Sequence, residues 1–397
     1  MIKKREFSGA FSAACPGNKE KEGFSMQPLN VLIKPVSSAC NLNCSYCFYA
    51  DLSRKRETAS YGVMSLETLE QTVKRIFEYA ESECTIAWQG GEPTLAGLSF
   101  FRAYLALEKK YNTRNVRVTR CLQTNGYHLD EEWASFLAEN EFLTGLSLDG
   151  TRALHDTFRR TPEGGETFSS ILETARLFDR FGVAYNLLTV VNRQTAASAE
   201  EIYRFYQETG FHYQQYIVCL DPVGEEPGQR PWSLTPSDYG SFLIKLFDLW
   251  YQDCLLGRAP YIRQFENYLD LLLGIPPESC EQRGSCGLQT VIEADGSVYP
   301  CDFYASDAYC LGNLTQSSLE ALRQTRRQKD FLERSLPIPD VCKNCPFYAL
   351  CRNGCFRHRL PSSGVNYFCE GYQSFFSHAL PFLQELARKA VNSRDFR

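Results

Sequence analysis

Three cysteines lie within eight residues in the stretch CNLNCSYCFY, as Cys40, Cys44 and Cys47. Three thiolates at such close spacing can hold three irons of a [4Fe–4S] cluster, which leaves the fourth iron open to a ligand that is not protein. A structural zinc ion is the alternative, but it normally takes four protein ligands. No cysteine or histidine follows closely enough to complete that set, so the spacing favours an iron–sulfur cluster with one open iron.

A second group of eight cysteines lies in the last third of the chain. Two are in SCEQRGSC, one follows VIEADGSVYP, four are in CKNCPFYALCRNGC and one is in NYFCEGY. They are Cys280, Cys286, Cys301, Cys342, Cys345, Cys351, Cys355 and Cys369. Eight thiols make two complete sets of four, which predicts two further metal centres. Zinc ribbons are the alternative for any one C-x2-C pair, and spacing alone leaves the pairing open.

The composition favours metal sites in a reducing compartment. The chain has 397 residues and 17 cysteines with no export signal, so we predict a cytoplasmic protein rather than a disulfide framework. The net charge of -5 argues against sequence-independent binding to nucleic acid. No apolar run reaches the ~18 residues of a membrane span. The weakly apolar stretch near the N-terminus is too short for a secretory signal, so residues 1–27 are predicted to be a disordered extension.

The elements that must position these cysteines alternate between short apolar strands and amphipathic helices from residue 29 to about 222. The segment 65–82 shows the helical period, with Ser65 as its N-cap. Its apolar face is formed by Leu66, Leu69, Val73, Ile76 and Phe77. Six such β/α units predict a parallel sheet closed into a partial (β/α)6 barrel, with its active site at the carboxyl ends of the strands. A β-hairpin is predicted around Asp295 and Gly296.

Polar or glycine-rich motifs follow several of these strands. They are the cysteine loop after strand one, QGGEP at 89–93, QTNG at 123–126, SLDG at 147–150, and Leu220 with Asp221. One glycine-rich exit would be weak evidence, because loops often contain glycine. Several exits on the rim that carries the three cysteines predict a ligand site there.

The C-x3-C-x2-C spacing, with an aromatic residue before the last cysteine, resembles the radical S-adenosylmethionine superfamily. The resemblance implies that the open iron is chelated by the methionine moiety of S-adenosylmethionine, and that GGEP binds the amino group of that moiety. It also implies contacts to the adenine, the ribose and the carboxylate. The implied cofactor-binding residues are Tyr46, Gly90, Gly91, Glu92, Ser147, Asp149, Arg159 and Leu220. For Asp149 the alternative is a turn residue, since Asp-Gly is a common turn pair.

The C-x2-C-x5-C-x3-C pattern with a later cysteine resembles a SPASM domain, which carries two auxiliary [4Fe–4S] clusters. The resemblance implies three [4Fe–4S] clusters in all, with crossed ligation of the auxiliary pair. Cys280, Cys286, Cys301 and Cys355 would hold one auxiliary cluster, and Cys342, Cys345, Cys351 and Cys369 the other. The predicted domains are an extension at 1–27, a radical S-adenosylmethionine barrel at 28–258, a SPASM domain at 259–372 and a C-terminal helix at 373–397.

Within this class, WQGGEPTLAGL, LQTNG, LSLDG, FDLWY and DGSVYPCDFY resemble the anaerobic sulfatase-maturating enzymes. The resemblance implies a radical oxidoreductase that converts cysteine or serine in a C/S-x-P/A-x-R motif to Cα-formylglycine. Asp302 would be the catalytic base, with a turn carboxylate as the alternative. Tyr49 would contact the substrate peptide, with core packing as the alternative. The implied partners are an unfolded sulfatase or its motif peptide, and reduced flavodoxin or ferredoxin as electron donor. The protein is predicted to be a monomer.

Other functions remain open from the sequence alone. The nearest is a SPASM enzyme that modifies another peptide, for example by thioether cross-linking. Such enzymes often carry an extra N-terminal recognition domain, for which we expect the residues before strand one to be too few. A non-catalytic electron carrier would not need the glycine-rich rim. A tRNA-modifying enzyme fits the net negative charge of the chain poorly. The preference for cysteine or serine is also left open.

Overall fold

The computed structural model describes residues 28–394, so the predicted extension at 1–27 lies outside the described residues. The strands are β1 (Leu29–Ile33), β2 (Glu83–Trp88), β3 (Arg117–Thr124), β4 (Phe142–Ser147), β5 (Ala184–Val191), β6 (Tyr213–Val218), β7 (Tyr261–Ile262), β8 (Thr290–Ile292), β9 (Ser297–Tyr299) and β10 (Gly312–Asn313). Helices among these residues include none long and apolar enough to cross a membrane.

Helices follow most of the strands, as the β/α alternation predicts. They are α1 (Phe48–Arg54), α2 (Leu66–Tyr79), α3 (Leu98–Tyr111), α4 (Glu131–Glu139), α5 (Arg152–Phe158), α6 (Phe168–Phe181), α7 (Arg193–Ala197), α8 (Ala199–Thr209), α9 (Pro236–Leu255), α10 (Arg263–Leu272), α11 (Leu319–Arg323), α12 (Arg326–Glu333), α13 (Asp340–Lys343), α14 (Tyr348–Cys351) and α15 (Cys369–Arg394). Short 3-10 helices lie at Pro93–Ala96, Glu281–Arg283, Asp302–Tyr304, Asp307–Tyr309 and Phe356–His358.

Helix α2 shows how the sequence specifies these elements. The Ser65 hydroxyl caps it by accepting a hydrogen bond from the Thr68 amide, as predicted. Leu69 and Val73 are fully buried on the predicted apolar face. Leu66, which the periodicity assigns to the same face, is 61% exposed at the first position of the helix. The assignment of Leu66 is therefore wrong, and the buried face begins one turn later.

Contacts divide the described chain into two compact units. The first unit consists of residues 28–147, Arg159–Tyr185 and Gly287–Arg334, and the second of Leu148–Phe158, Asn186–Cys286 and residues 335–394. In the first unit, Trp88 packs edge-on against Phe101 and Tyr104 beneath the strands. In the second unit, Phe247 of α9 packs against Phe265 of α10 and Phe375 of α15.

Strands β1 to β4 of the first unit are parallel neighbours. Ile33 lies opposite Trp88, so the exits of β1 and β2 are side by side. The predicted hairpin is present, because β8 and β9 pair antiparallel around Asp295 and Gly296. Its first arm, β8, also pairs in parallel with β1, which the sequence did not predict. In the second unit, β5, β6 and β7 are parallel neighbours.

Candidate active site

The cysteine loop lies between β1 and α1, at the carboxyl end of β1. Cys47 is the N-cap of α1, and its sulfur accepts a hydrogen bond from the Ala50 amide at 3.4 Å. The Asn43 amide donates to the Arg160 carbonyl at 2.7 Å, which ties the middle of the loop to the first unit. The loop therefore holds its three thiols through backbone contacts as well as through sequence spacing.

Asn125 brings a second strand exit to the cysteines. It follows β3 in the QTNG motif, and its side-chain amide donates to the Cys40 sulfur at 3.7 Å and to the Asn41 side-chain oxygen at 2.8 Å. The Leu42 amide also donates to the Cys40 sulfur, at 3.4 Å. Hydrogen-bond donors directed at sulfur stabilise the thiolate that a cluster iron needs. Sequence reasoning recognised this motif but singled out no residue in it.

Gly90 and Gly91 follow β2 with backbone φ of +94° and +50°, which a residue with a side chain rarely adopts. A Cβ atom on Gly91 would lie 2.0 Å from the Ala39 carbonyl oxygen, and one on Gly90 would lie 2.6 Å from Cγ of Lys34. The glycines thus let the β2 exit pack directly on the segment that leads from β1 to the cysteines. That packing accounts for the two glycines without any bound ligand.

Glu92 is fully buried, at 1% exposure, and its carboxylate is satisfied within the protein. One oxygen accepts from the amide and hydroxyl of Thr94 and from the Thr124 hydroxyl, and the other accepts from the Asn125 amide at 2.7 Å. Burial raises the pKa of this carboxyl, and the four hydrogen bonds oppose that shift. Glu92 therefore connects the exits of β2 and β3, a role that the resemblance did not imply.

Three more predicted cofactor residues lie in the first unit. The guanidinium carbon of Arg159 lies 5.6 Å from the centre of the Tyr46 ring, and both side chains are 7% exposed. Ser147 is the last residue of β4 and is also buried. Tyr46 and Arg159 are thus brought together as a cation–π pair.

The other two predicted cofactor residues, Asp149 and Leu220, lie in the second unit. Asp149 is fully buried, and its carboxylate accepts a hydrogen bond from the Val190 amide of β5 at 2.9 Å. This bond supports a structural role for Asp149 beside any ligand contact. Leu220 is 9% exposed and follows the end of β6 by two residues.

Asp302 opens a 3-10 helix after the hairpin and is held by two side chains from the strand exits. Lys34 Nζ lies 2.5 Å from Oδ1 of Asp302, and Gln89 donates to Oδ2 at 2.9 Å. Lys34 follows Ile33 of β1 and Gln89 follows Trp88 of β2, so the register of these two strands brings both donors to one place. Sequence reasoning missed Lys34 and Gln89, although a lysine at the end of an apolar strand was a visible signal.

Tyr49 belongs to the same buried cluster. Its ring lies under Lys34, with Nζ 3.7 Å from the ring centre, and its hydroxyl donates to Glu293. Arg56 also donates to Glu293, at 2.6 Å, and both of these side chains are fully buried. Burial, and next the charge of Glu293, raise the pKa of Tyr49 well above its usual range. We call Lys34, Tyr49, Arg56, Glu293 and Asp302 the charged network.

Four auxiliary cysteines, Cys342, Cys345, Cys351 and Cys369, line one cavity in the second unit and are called the tetrad. Aromatic side chains enclose the cavity, among them Phe347, Tyr348, Tyr372 and Phe376. Burial raises the pKa of Cys351 to about 12, with the neighbouring thiols adding to that shift. A bound metal would favour the thiolate form of these sulfurs. The four cysteines that the resemblance assigns to one cluster thus line one cavity.

The remaining auxiliary cysteines are divided between the two units. Cys280, Cys286 and Cys355 lie in the second unit, and Cys301 follows β9 in the first unit. Within the second unit, Arg359 donates to the carbonyl oxygens of Gly284 and Ser335, and so fixes the backbone near Cys286. Burial raises the pKa of Cys286 to about 11.

The described residues contain thiols in the number that three clusters need. Sixteen of the 17 cysteines lie between residues 28 and 394, and eleven of these are the predicted cluster ligands. Among the same residues, no three His, Cys, Asp or Glu side chains are close enough to bind one metal ion together. The assignment of individual ligands to clusters therefore stays a prediction, while the donor type and the enclosed apolar cavity fit iron–sulfur chemistry.

Two family matches define the class of protein. Residues 35–206 match the radical SAM superfamily, and residues 284–346 match the SPASM iron–sulfur cluster-binding domain. The fold and the site are therefore those of a radical S-adenosylmethionine enzyme with a SPASM domain.

The relatives narrow this class. The cysteine-type anaerobic sulfatase-maturating enzyme of Clostridium novyi is 46% identical over 367 residues, 91% of this chain and 98% of that protein. The serine-type enzyme of Bacteroides thetaiotaomicron is 31% identical over 392 residues, 93% of each chain. Native anSMEcpe with bound AdoMet and Kp18Cys peptide superposes with a TM-score of 0.88 at 44% identity, over 91% of this chain and 99% of that one. This chain belongs to the anaerobic sulfatase-maturating enzymes.

These findings confirm the predicted family, fold class and enzyme class. The chain is a partial (β/α)6 barrel enzyme with a SPASM domain, and its cofactors are S-adenosylmethionine and three [4Fe–4S] clusters. Sulfatase maturation fits these findings better than thioether cross-linking of another peptide. The roles of individual residues are not decided by these similarities.

Proposed function

We propose that this chain oxidises the cysteine of a C-x-P-x-R or C-x-A-x-R motif in a sulfatase to Cα-formylglycine. The main support for this proposal is Asp302, a buried carboxylate that Lys34 and Gln89 contact at the ends of β1 and β2. It follows Cys301, a predicted cluster ligand, in the chain. Sequence identity favours cysteine over serine as the target, because the chain is 46% identical to a cysteine-type relative and 31% identical to a serine-type one. A solved relative with a bound peptide supports a peptide substrate.

The proposed cofactor site is built from the strand exits of the first unit. Cys40, Cys44 and Cys47 would hold the cluster with the open iron. When bound and reduced, this cluster and S-adenosylmethionine supply the 5′-deoxyadenosyl radical that removes a hydrogen atom from the target Cβ. Gly90 and Gly91 would present backbone to the methionine moiety, while Glu92 fixes the turn from inside.

Further contacts to S-adenosylmethionine are proposed for the remaining predicted residues. The buried pair of Tyr46 and Arg159 would lie near the adenine and the carboxylate, respectively, and would exclude water from the radical. Ser147 and Asp149 would bind the ribose or the methionine end, and Leu220 would pack on the adenine. For Asp149 this contact would add to the bond that it already accepts from Val190.

Asp302 is the proposed base for the target thiol. Its two oxygens have different partners, a cationic one in Lys34 and a neutral one in Gln89, so the carboxylate is oriented before the substrate arrives. Preorganisation of this kind is how a positioned base contributes to a rate. Tyr49 is proposed to contact the peptide near this carboxylate, although its observed partners are Lys34 and Glu293.

The auxiliary clusters are proposed to carry away the second electron. The tetrad would hold one of them, which its common cavity supports. Cys280, Cys286, Cys301 and Cys355 would hold the other. The proposed domains keep the predicted boundaries, with the barrel at 28–258, the SPASM domain at 259–372 and a C-terminal helix at 373–397.

The proposed partners are an unfolded sulfatase or its motif peptide, and reduced flavodoxin or ferredoxin as the electron donor. We also propose a monomer in the cytoplasm, without a nucleic-acid or membrane partner. The eleven clustered cysteines that are predicted to hold iron–sulfur clusters support a reducing compartment. Light scattering of the reconstituted protein measures the oligomeric state, and a donor exchange assay compares the two electron carriers.

Anaerobic incubation with a motif peptide and its serine twin tests the proposed reaction. The reconstituted protein receives S-adenosylmethionine, a reductant and either peptide, and mass spectrometry measures the aldehyde product. We expect the cysteine peptide to be converted with the higher kcat/KM. Equal conversion of the serine peptide would remove the cysteine preference, and 5′-deoxyadenosine without any aldehyde would contradict the reaction.

A further inference from the structure

We propose that Lys34 is a positioning residue, whose ammonium group fixes the orientation of the Asp302 carboxylate. The inference rests on the proposed role of Asp302 as base. It assigns a function to a side chain that lies in the first strand exit and outside the cysteine, glycine and SLDG motifs.

The burial of Lys34 is the first observation. The side chain is 0% exposed, and lysine is almost never fully buried unless its charge is paired. Its ammonium lies 2.5 Å from Oδ1 of Asp302 and 3.7 Å from the centre of the Tyr49 ring. One contact is with an opposite charge, and the other is with the face of an aromatic ring. Among the described ion pairs, Asp302 is the one carboxylate that Lys34 meets.

The neighbouring acid is neutralised by another group. Glu293 accepts from Arg56 at 2.6 Å and also from the Tyr49 hydroxyl. Glu293 therefore has its own cation, and the Lys34 charge is left for Asp302. The two ion pairs flank the Tyr49 ring, since the guanidinium carbon of Arg56 lies 5.5 Å from its centre. This arrangement separates a purely structural pair from the pair that includes the proposed base.

The β2 exit makes room for the lysine. The Gln89 amide donates to the Ile33 carbonyl at 3.0 Å, so the two exits are hydrogen-bonded beside Lys34. A Cβ on Gly90 would approach Cγ of Lys34 to 2.6 Å and Cδ to 2.9 Å. Gly90 thus has a second reason to be glycine, because the lysine stem passes beneath it to reach Asp302.

The two oxygens of Asp302 are held unequally. Oδ1 faces the cation at ion-pair distance, and neither Oδ1 nor the Lys34 nitrogen has a hydrogen-bond partner in the described structure. Oδ2 accepts from the Gln89 amide, a neutral group on a partly exposed side chain. The geometry therefore leaves Oδ2 as the oxygen that exchanges Gln89 for the target thiol. Lys34 keeps Oδ1 in place during that exchange.

Replacement of the lysine in the anaerobically reconstituted enzyme tests this role. Lys34→Met removes the charge and keeps most of the length. We expect kcat for formylglycine to fall about 10-fold to 100-fold, because a base that loses its orientation loses part of the roughly 10²-fold to 10⁴-fold that a positioned base contributes. The peptide KM and the formation of 5′-deoxyadenosine should change little, so the ratio of 5′-deoxyadenosine to formylglycine should rise. Lys34→Arg should restore part of kcat.

A matched control and a double variant complete the experiment. Lys55→Met removes a lysine that is 41% exposed and paired with Asp51, and it should leave every rate unchanged. In an Asp302→Asn background, Lys34→Met should cause no further loss of formylglycine, because the two residues act as one unit. Lys34→Gln replaces Lys34→Met if that variant fails to load its clusters, and iron content is measured for all variants.

Three outcomes would overturn the proposal. The first is an unchanged ratio of 5′-deoxyadenosine to formylglycine in Lys34→Met. The second is an equal fall of 5′-deoxyadenosine and formylglycine in a Lys34→Met variant that has loaded all its clusters. The third is a further loss of formylglycine when Lys34→Met is added to Asp302→Asn. Full formylglycine yield in Asp302→Asn alone is a separate result, because it would remove the base assignment itself. Lys34→Met and Lys34→Gln could both fail to load clusters while the double variant loads normally. The unpaired Asp302 charge would then be the cause of the failure, which would support the ion pair.

Discussion

The cysteine loop of the first unit and the tetrad of the second unit surround their sulfurs differently. In the loop, Cys40 is exposed, and its sulfur accepts from Asn125 and from the Leu42 amide. In the tetrad, aromatic side chains line the cavity with the four cysteines, and burial raises the pKa of Cys351 to about 12, as it raises that of Cys40 to about 11. The two sets therefore differ in their partners, which are polar groups and an exposed Cys40 in the loop, and mainly aromatic side chains in the tetrad.

This difference separates two tasks that the same kind of cluster can perform. An accessible cluster with three protein ligands can bind a substrate at its open iron, whereas an enclosed cluster with four ligands is limited to electron transfer. Apolar surroundings also keep water from an electron carrier. We therefore expect damage to the loop to stop the formation of the radical, and damage to the tetrad to stop only the later oxidation of the peptide.

Removal of the loop cysteines should give the largest effect. The triple variant Cys40→Ala, Cys44→Ala, Cys47→Ala should make no 5′-deoxyadenosine, because no electron can then reach the sulfonium of S-adenosylmethionine. Chromatography after anaerobic reduction measures this product. Cys254→Ala is the matched control, since Cys254 lies on α9 and is not a predicted ligand. Any 5′-deoxyadenosine above background from the triple variant would contradict the assignment of the loop.

Asp302→Asn should separate radical formation from peptide oxidation within the first unit. The amide keeps the shape of the side chain but cannot accept the thiol proton. Formylglycine should fall by roughly 10²-fold or more, the usual contribution of a positioned base, while 5′-deoxyadenosine persists. Mass spectrometry of the peptide and iron analysis of the variant provide the two readouts. Normal formylglycine yield with three intact clusters would make Asp302 a turn carboxylate.

Cys351→Ala tests the enclosed side of the comparison. The variant should lose one auxiliary cluster, or about four of about twelve irons per chain. Cleavage of S-adenosylmethionine should survive in part and become uncoupled from formylglycine. Mössbauer spectroscopy counts the clusters, and the ratio of the two products measures the coupling. If Cys351→Ala abolished 5′-deoxyadenosine while the loop cluster remained intact, the two tasks would not be separable as we argue.

The sequence predicts the features that depend on local pattern. The cysteine spacings, the hairpin around Asp295 and Gly296, and helix α2 with its Ser65 cap all arise from residues that are near one another in the chain. Local pattern is therefore sufficient to predict a β/α fold and metal-binding cysteine clusters, whereas S-adenosylmethionine and the SPASM domain are implied by the family resemblance.

The contacts that complete the site depend on distant segments. Lys34 meets Asp302 only because β8 pairs with β1 in parallel, and no local pattern predicts that pairing. The resemblance places Glu92 at the methionine amino group, but its hydrogen bonds come from its own turn and from the β3 exit. The partners of a buried charge are set by strand register, which composition and spacing leave undetermined.

Tyr49→Phe should give the smallest effect and decides between two roles for this residue. Phenylalanine keeps the ring beneath the Lys34 ammonium and removes the hydroxyl that donates to Glu293. Because Arg56 still pairs with Glu293, we expect a loss of about 1 kcal/mol in the free energy of unfolding. Peptide KM should stay close to that of the unmodified enzyme if Tyr49 supports the charged network. A several-fold rise in peptide KM without loss of stability would instead make the Tyr49 hydroxyl a substrate contact. Thermal unfolding and steady-state kinetics on the same reconstituted sample separate these two results.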